Sequence, residues 1–356
     1  MSDRSPEPTT TSRIRSTSVR LFQIFIVICL INGFLDISYP LLIISKNYIG
    51  NKISLAFNSE EVEPGSTQDI LRPLPKITSY DEPGIRGIVN AYQSVATNVE
   101  PDGMRSNGQL TPEKASSVGF LLGSSTAFGF GVADNQTVAA HLEKRLKNVR
   151  VENYAGVAQP VADSVLRWYD LQKKKAKPDF VIIAGAGYQL YHDCMLNPAA
   201  TSKKRMLPFL AELFVETFSN NAAAPCSSNE SLDLAVRHSI MSIESAVAFG
   251  RKQGTPFHVV YLPTPYDADV NVDNLLNDPK FKANLTRMRP IYSRYQEEMN
   301  KLDLPEFINL SGALPSDRMY FLDAAGHLSG DGHKRVADIL ATRIWGGNDQ
   351  VFDRGL

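Results

Sequence analysis

The sequence predicts an α/β domain, a parallel sheet with helices on both faces, carried on one N-terminal transmembrane helix. Three observations point that way. Short apolar runs alternate with segments of helical periodicity along the C-terminal two thirds of the chain. Phe180–Ala184 is apolar at every position, so both faces of that strand need cover, as in the centre of a parallel sheet. The run from Leu21 to Ile44 is almost unbroken in its apolarity and long enough to cross a hydrocarbon layer of about 30 Å.

Residues 1–20 are polar and rich in Ser, Thr and Pro, the composition of a disordered tail. Arg4, Arg13, Arg15 and Arg20 precede the apolar run against only Asp3 and Glu7, which places the N-terminus in the cytoplasm and the rest of the chain outside. A cleaved signal peptide is the alternative. Its apolar core would be shorter, and no small-x-small cleavage site follows, so an uncleaved anchor over 21–45 is the preferred reading. The expected setting is a bacterial inner membrane crossed once, with the folded domain on the outer side. Cys29 falls inside the span. Cys194 and Cys226, the other two cysteines, would then lie in an oxidising compartment, as a disulfide or as two buried thiols. A disulfide closing that loop would contribute roughly 3–4 kcal/mol. Their spacing supports no zinc site, and no metal or organic cofactor is implied. A net charge of -1 without a basic stripe argues against nucleic acid as a partner. Lys173-Lys174-Lys175 reads as a solvated helix end.

Residues 46–112, punctuated by Pro64-Gly65, Pro83-Gly84 and Pro101-Asp102-Gly103, read as a juxtamembrane arm, irregular except for Gly87–Ala96. The main domain should span 113–346, with 347–356 as a tail. Its first strand, Val118–Leu122, ends at Gly123-Ser124-Ser125, and a helix over 137–147 should aim its N-terminal amides back at the serines. Val149–Tyr154 is a second strand, Val161–Lys174 a helix with Val165, Trp168 and Leu171 on one face, and Phe180–Ala184 the third strand. Helical signals follow over 203–219 and 231–250. Phe257–Leu262 and Phe307–Leu310 supply the fourth and fifth strands. Between them a helix runs over 285–302 with Pro290 starting or kinking it, and a last helix covers 332–344. Five strands in this order with right-handed crossovers give a flavodoxin-like three-layer α/β/α sandwich with a five-stranded parallel sheet.

In open α/β sheets the ligand edge is the C-terminal end of the strands, where Ser124 and Ser125 fall. Nucleophilic serine chemistry needs a hydroxyl, a base, a group to orient the base, and donors for the oxyanion. Among six histidines, His141 and His238 read as surface positions on helices and His258 as half-buried in its strand. His192 lies in Tyr191-His192-Asp193 near the functional edge. His327 follows Asp323 by four residues on a tight turn, where the two can hydrogen-bond, and Ser329 or Asp331 can cap the helix that comes next.

Gly123-Ser124-Ser125 with Gly129, and Asp323…His327-Leu328-Ser329…Gly332 before the last helix, together resemble the SGNH/GDSL hydrolase superfamily, over residues 85 to 345. Pro101-Asp102-Gly103-Met104-Arg105-Ser106 is similar to an approach to the first strand found in bacterial membrane-anchored SGNH proteins. The resemblance implies Ser125 as nucleophile, His327 as general base and Asp323 as its orienting carboxylate. The family commonly separates the last two by three residues rather than four. It also implies an oxyanion hole in which Ser125 is joined by Gln159, in place of the glycine of the second block, and by Tyr188 or Gln189, in place of the asparagine of the third. Losing such a donor costs about 3–4 kcal/mol of transition-state stabilisation. The implied activity is that of an exported serine esterase or deacylase acting on an acylated small molecule or glycan, such as O-acetyl groups of an envelope polysaccharide or exopolysaccharide. An O-acyltransferase would use the same serine. A catalytically impaired glycan-binding or scaffold module is the reading that the altered blocks favour.

Overall fold

The computed structural model describes residues 79–82, 85–107, 115–146, 148–196 and 226–346, all within one compact unit. The tail expected over 1–20, the anchor over 21–45, the helix over 203–219 and the tail over 347–356 lie outside the described residues. Among the described residues no helix is long and apolar enough to cross a membrane.

The arm is more regular than its proline content predicts. Strands β1 (Ser79–Glu82) and β2 (Ile85–Val89) form one antiparallel pair, and β3 (Tyr92–Gln93) and β4 (Asn98–Val99) a second. Ile85, Ile88 and Val89 are buried, so the arm packs as part of the domain. Arg105 bridges Val99 on one side and Asn153 on the other, which joins the arm to the edge of the main sheet.

That sheet contains β5 (Ser117–Gly123), β6 (Val149–Asn153), β7 (Phe180–Ala184), β8 (Phe257–Tyr261) and β9 (Phe307–Asn309). All neighbours are parallel, in the order β6-β5-β7-β8-β9. The predicted five-stranded parallel sheet within an α/β/α sandwich is what the structure shows. Strand β7 is buried at all five positions, as its uninterrupted apolar sequence requires.

Seven helices accompany the described strands: α1 (Ser125–Phe128), α2 (Val138–Arg145), α3 (Val161–Lys174), α4 (Ala186–Tyr191), α5 (Asn229–Gln253), α6 (Pro279–Met299) and α7 (Gly330–Trp345). Helix α2 packs on α7, while α3 packs on α5 and α5 on α6. Right-handed crossovers from this strand order place the first pair on one face of the sheet and the other three on the opposite face. Trp168 of α3 joins that second layer, edge-on to Phe249 of α5 at 5.3 Å between ring centroids. Helix α6 begins earlier than predicted and contains Pro290 in its interior. Its buried Phe281, Leu285, Met288, Tyr292, Tyr295 and Met299 recur every three or four residues, a stripe that carries the helix through the proline.

The order reverses between β5 and β7, and Gly123 pairs with Ala184 there, so both strands end level at the crevice where such sheets bind ligands. The loop after β5 is held from outside by the arm. Arg105, only 1% exposed, donates to Asp134 Oδ1 at 3.0 Å and to the Phe128 and Val132 carbonyls at 2.9 and 2.6 Å. Asp134 also accepts from the Asn98 amide side chain at 2.8 Å. Removing one partner of a buried ion pair typically costs about 3–5 kcal/mol, because the other charge stays buried and unpaired. Arg105→Met is therefore expected to lower unfolding stability by about that amount. Denaturant midpoints of parent and variant measure it.

Candidate active site

Strand β5 ends at Gly123, whose φ of +146° and close approach to the Ala184 carbonyl leave no room for a side chain. The chain turns there into α1, with Ser124 as N-cap and Ser125 as the first helical residue. The first intrahelical bond, Phe128 N–H to Ser124 O at 2.9 Å, leaves the amides of Ser125, Thr126 and Ala127 without helical acceptors. The helix that starts at the serine is thus this single turn. Helix α2, expected in that role, begins only at Val138.

The base and its acid come from a hairpin between β9 and α7. Phe321 bridges Leu328, the Leu322 amide donates to His327 O at 2.8 Å, and the Ser329 amide to Tyr320 O at 2.7 Å. The turn Asp323–Gly326 closes with Gly326 N–H to Asp323 O at 3.3 Å. Gly326 has a φ of +89°, the left-handed conformation that a four-residue hairpin loop needs and that glycine adopts without strain. This glycine accommodates the four-residue spacing between acid and base. Ser329 caps α7 by accepting from the Gly332 amide at 3.2 Å.

Asp323 Oδ1 accepts from the amides of Ala325 and His327 at 3.0 and 3.2 Å. Its Oδ2 lies 2.6 Å from His327 Nδ1. Burial alone would raise the Asp323 pKa, but the hydrogen bond from the His327 ring, the charge that ring carries when protonated and the two amides together hold it below the usual carboxylate value. An ionised carboxylate only accepts, so Nδ1 carries the proton and Nε2 presents its lone pair. The Ser125 hydroxyl donates to that nitrogen at 2.9 Å. Phe130 covers the imidazole at 4.5 Å between ring centroids, and Thr126 Oγ1 donates to Gly326 O at 3.3 Å, linking α1 to the hairpin. Ser125, His327 and Asp323 form the hydrogen-bonded triad of a serine hydrolase.

The serine opens on a cleft of ≈ 460 Å³, counting its open mouth. Ser124, Ser125, Gly185, Tyr188, Tyr191 and Tyr266 are among its walls. Tyr266 stacks on Tyr191 at 6.4 Å and on Tyr292 at 5.4 Å between centroids. Burial raises the pKa of Tyr188, which keeps its hydroxyl a donor near neutral pH.

The oxyanion candidates divide in this setting. Ser125 and Tyr188 line the cleft. Gln189 does not, since one residue further along α4 its amide points the other way and donates to both oxygens of Asp193 at 3.0 and 3.1 Å. Gln159 is fully buried, with its amide donating to Arg86 O at 2.6 Å, and it is likewise absent from the cleft wall. Gln189 therefore does not take the place of the missing asparagine, and Gln159, which stands for the second-block glycine, has its side chain engaged with Arg86. Cys194 and Cys226 are joined as a disulfide, with Cα atoms 5.3 Å apart. His192 and His238 both contact the carboxylate of neighbouring Asp193, at 3.2 and 2.8 Å, so that pair of residues belongs to a cluster outside the triad.

Several contributors carry no sequence motif. The Asn153 amide donates to the Ala127 and Phe128 carbonyls at 3.3 Å each, securing the end of α1. His333 is fully buried behind the site, and its pKa is pushed down to about 3, by burial first and then by the charges of Arg105, His141 and His327. His141, read as a surface residue, is half-buried, with its Nε2 buried and without a partner.

No protein-family model matches the sequence, and no curated protein matches it. Solved structures with some similarity include a member of the lipolytic protein G-D-S-L family from Veillonella parvula, at 10% identity, covering 67% of this chain and 99% of that one, with a TM-score of 0.36. An acetyl xylan esterase from Geobacillus stearothermophilus shares 15% identity over 65% of this chain and 95% of its own, with a TM-score of 0.34. A carbohydrate acetylesterase from Sinorhizobium meliloti shares 13% over 65% and 99%, with a TM-score of 0.33. Likeness at this level carries no weight for function, which rests on the geometry of the site.

Two outcomes are expected. Asp323→Asn places an amide donor against Nδ1 and favours the tautomer with Nε2 protonated, so labelling of Ser125 by a fluorophosphonate should slow by about 10³- to 10⁴-fold. The His333 pKa lies below the unfolded value of about 6.5, so the unfolded chain takes up the proton first and stability falls as pH drops through that value. The slope approaches about 1.4 kcal/mol per pH unit and flattens near the folded value. Unfolding measured from about pH 7 to pH 4 should show that component in the parent and lack it in His333→Leu.

Proposed function

We propose that the protein is an exported, membrane-anchored serine esterase or deacylase acting on an acylated glycan, with O-acetyl groups of a cell-envelope polysaccharide or exopolysaccharide as its substrate class. The observation that carries this reading is the Ser125 hydroxyl at 2.9 Å from a histidine whose far nitrogen is held by an ionised carboxylate. The apolar run over 21–45, preceded by arginines, supports the anchor and the export. Tyr188, Tyr191 and Tyr266 support a sugar, since aromatic walls give a large contact surface with polar edges.

In the proposed reaction the Ser125 proton moves to His327 Nε2 as Oγ bonds to the acyl carbon, and Asp323 stabilises the imidazolium that forms. The oxyanion faces the free amide of Ser125, with Tyr188 as the side chain available for a second donor. His327 returns the proton to the departing sugar oxygen, leaving an acyl-serine. Water then attacks with His327 as base again, releasing the carboxylic acid and restoring the serine. A sugar hydroxyl in place of water would make the same site an acyltransferase.

The test pairs the full-length protein with Ser125→Ala. Fluorophosphonate labelling and hydrolysis of 4-nitrophenyl acetate should be present in the parent and absent in the variant. Acetate released from an acetylated polysaccharide supports the hydrolase, and acetyl moved to an added glycan supports the transferase. A folded parent that neither labels nor turns over any ester overturns the catalytic reading and favours a glycan-binding module.

A further inference from the structure

The cleft wall that abuts the triad hairpin rests on a carboxyl group that takes no part in the triad. Asp267 is 2% exposed and follows Leu262–Tyr266, the segment after β8 that forms this wall. Its Oδ1 accepts from the Tyr261 hydroxyl at 2.6 Å, the Thr264 hydroxyl at 3.0 Å and the Gln296 amide at 2.7 Å. Its Oδ2 accepts from the Thr264 backbone amide at 2.9 Å. Four donors therefore converge on one side chain from β8, the wall itself and α6, and all four are neutral.

The wall reaches from this carboxyl group to the triad. Thr264 Oγ1 accepts from the Tyr266 amide at 3.3 Å, and the Tyr266 hydroxyl donates to Ala324 O at 3.0 Å, inside the Asp323–Gly326 turn. The Tyr266 ring lies between Tyr191 and Tyr292. Ionised, Asp267 satisfies all four donors. Protonated, one of its oxygens becomes a donor and the set no longer matches. A proton on Oδ2 would face the Thr264 N–H, which the backbone fixes, and a proton on Oδ1 would replace the charged acceptor that Tyr261, Thr264 and Gln296 share by a weaker neutral one, so protonation loosens the wall.

We propose that Asp267 is a positioning residue for substrate, holding the Thr264-Pro265-Tyr266 wall against the cleft when ionised and releasing it when protonated. The groups facing it, Tyr261 and Thr264 on one side and Gln296 and Tyr292 of α6 on the other, include no cation. Burial accordingly raises its pKa to about 7, against the opposing pull of the hydrogen bonds from Tyr261, Thr264 and Gln296. The effect on turnover rests on the esterase reading, whereas the effect on the wall does not.

Asp267→Asn is nearly isosteric and cannot ionise. In the parent, KM for 4-nitrophenyl acetate should rise as pH falls through about 7. The variant should have a KM about fivefold higher than the parent near pH 8, the size expected for one lost hydrogen bond, with no such rise on acidification and with kcat near the parent's. Backbone hydrogen exchange over 262–268, corrected for its intrinsic pH dependence, should quicken in the parent below neutral pH and stay fast in the variant. A variant KM that matches the parent's at every pH, or parent exchange that does not change with pH, overturns the proposal. Absence of labelling and turnover in both proteins refutes the esterase reading instead, and hydrogen exchange in the parent still decides the role of Asp267.

Discussion

The fully buried guanidinium of Arg105 is the constraint on which the nucleophile's placement depends. Its five N–H donors meet five acceptors: Asp134, Thr97 and the carbonyls of Phe128, Gly129 and Val132. Three of these are backbone groups of the segment leaving α1, where only Gly129 O also has a donor from within the loop, the Val132 amide at 3.3 Å. Burial lowers the pKa of Arg105 while the Asp134 charge acts against that fall, and an arginine remains charged throughout. Because the cation belongs to the arm, arm and catalytic loop form one packed structure.

The same logic of local groups satisfied from distant segments runs through the site. Asn153 at the end of β6 takes two of the α1 carbonyls, one of them shared with Arg105. The hairpin that supplies His327 is tied to α1 through Thr126 and to the Leu262–Tyr266 wall through Tyr266. Each contact crosses between elements well apart in sequence, and so fixes the separation of Ser125 from His327 more firmly than either loop could alone. Catalytic geometry tolerates only small displacements, which is why such cross-links matter beyond their modest individual energies.

What could be read from the sequence follows from how local the cause was. Phe180–Ala184 and Val161–Lys174 have the predicted bounds, since continuous apolarity and helical spacing are properties of the segment itself. Ser125, Asp323 and His327 were legible through the resemblance of the motifs that hold them at segment ends, even though four residues rather than the usual three separate the last two. Gln189 was misplaced because one step around a helix turns a side chain by about 100°, which a linear motif does not register. Asp267 had no signal at all. An aspartate just after Pro263-Thr264-Pro265 has the sequence of a solvated turn, and its burial is imposed by Tyr261 and by Gln296 on a helix in a later part of the chain. The regularity of the arm was hidden for a similar reason, because its short strands are stabilised by packing against the domain rather than by a pattern of their own.

The structure also separates two terms that are often merged in reading such a site. Activating the serine needs the tautomer of His327 fixed and Asp323 ionised, and both conditions are met by local geometry. Stabilising the tetrahedral intermediate needs donors aimed at the oxyanion, and here no side-chain amide reaches the cleft from Gln159 or Gln189. One missing donor is worth roughly 3–4 kcal/mol, a factor of about a hundred to a thousand in rate. That is small beside the roughly million-fold and larger accelerations that enzymes achieve. A reactive Ser125 and a slow turnover are therefore compatible. Reactivity toward an electrophilic probe reports the first term, and only turnover of an ester reports the second.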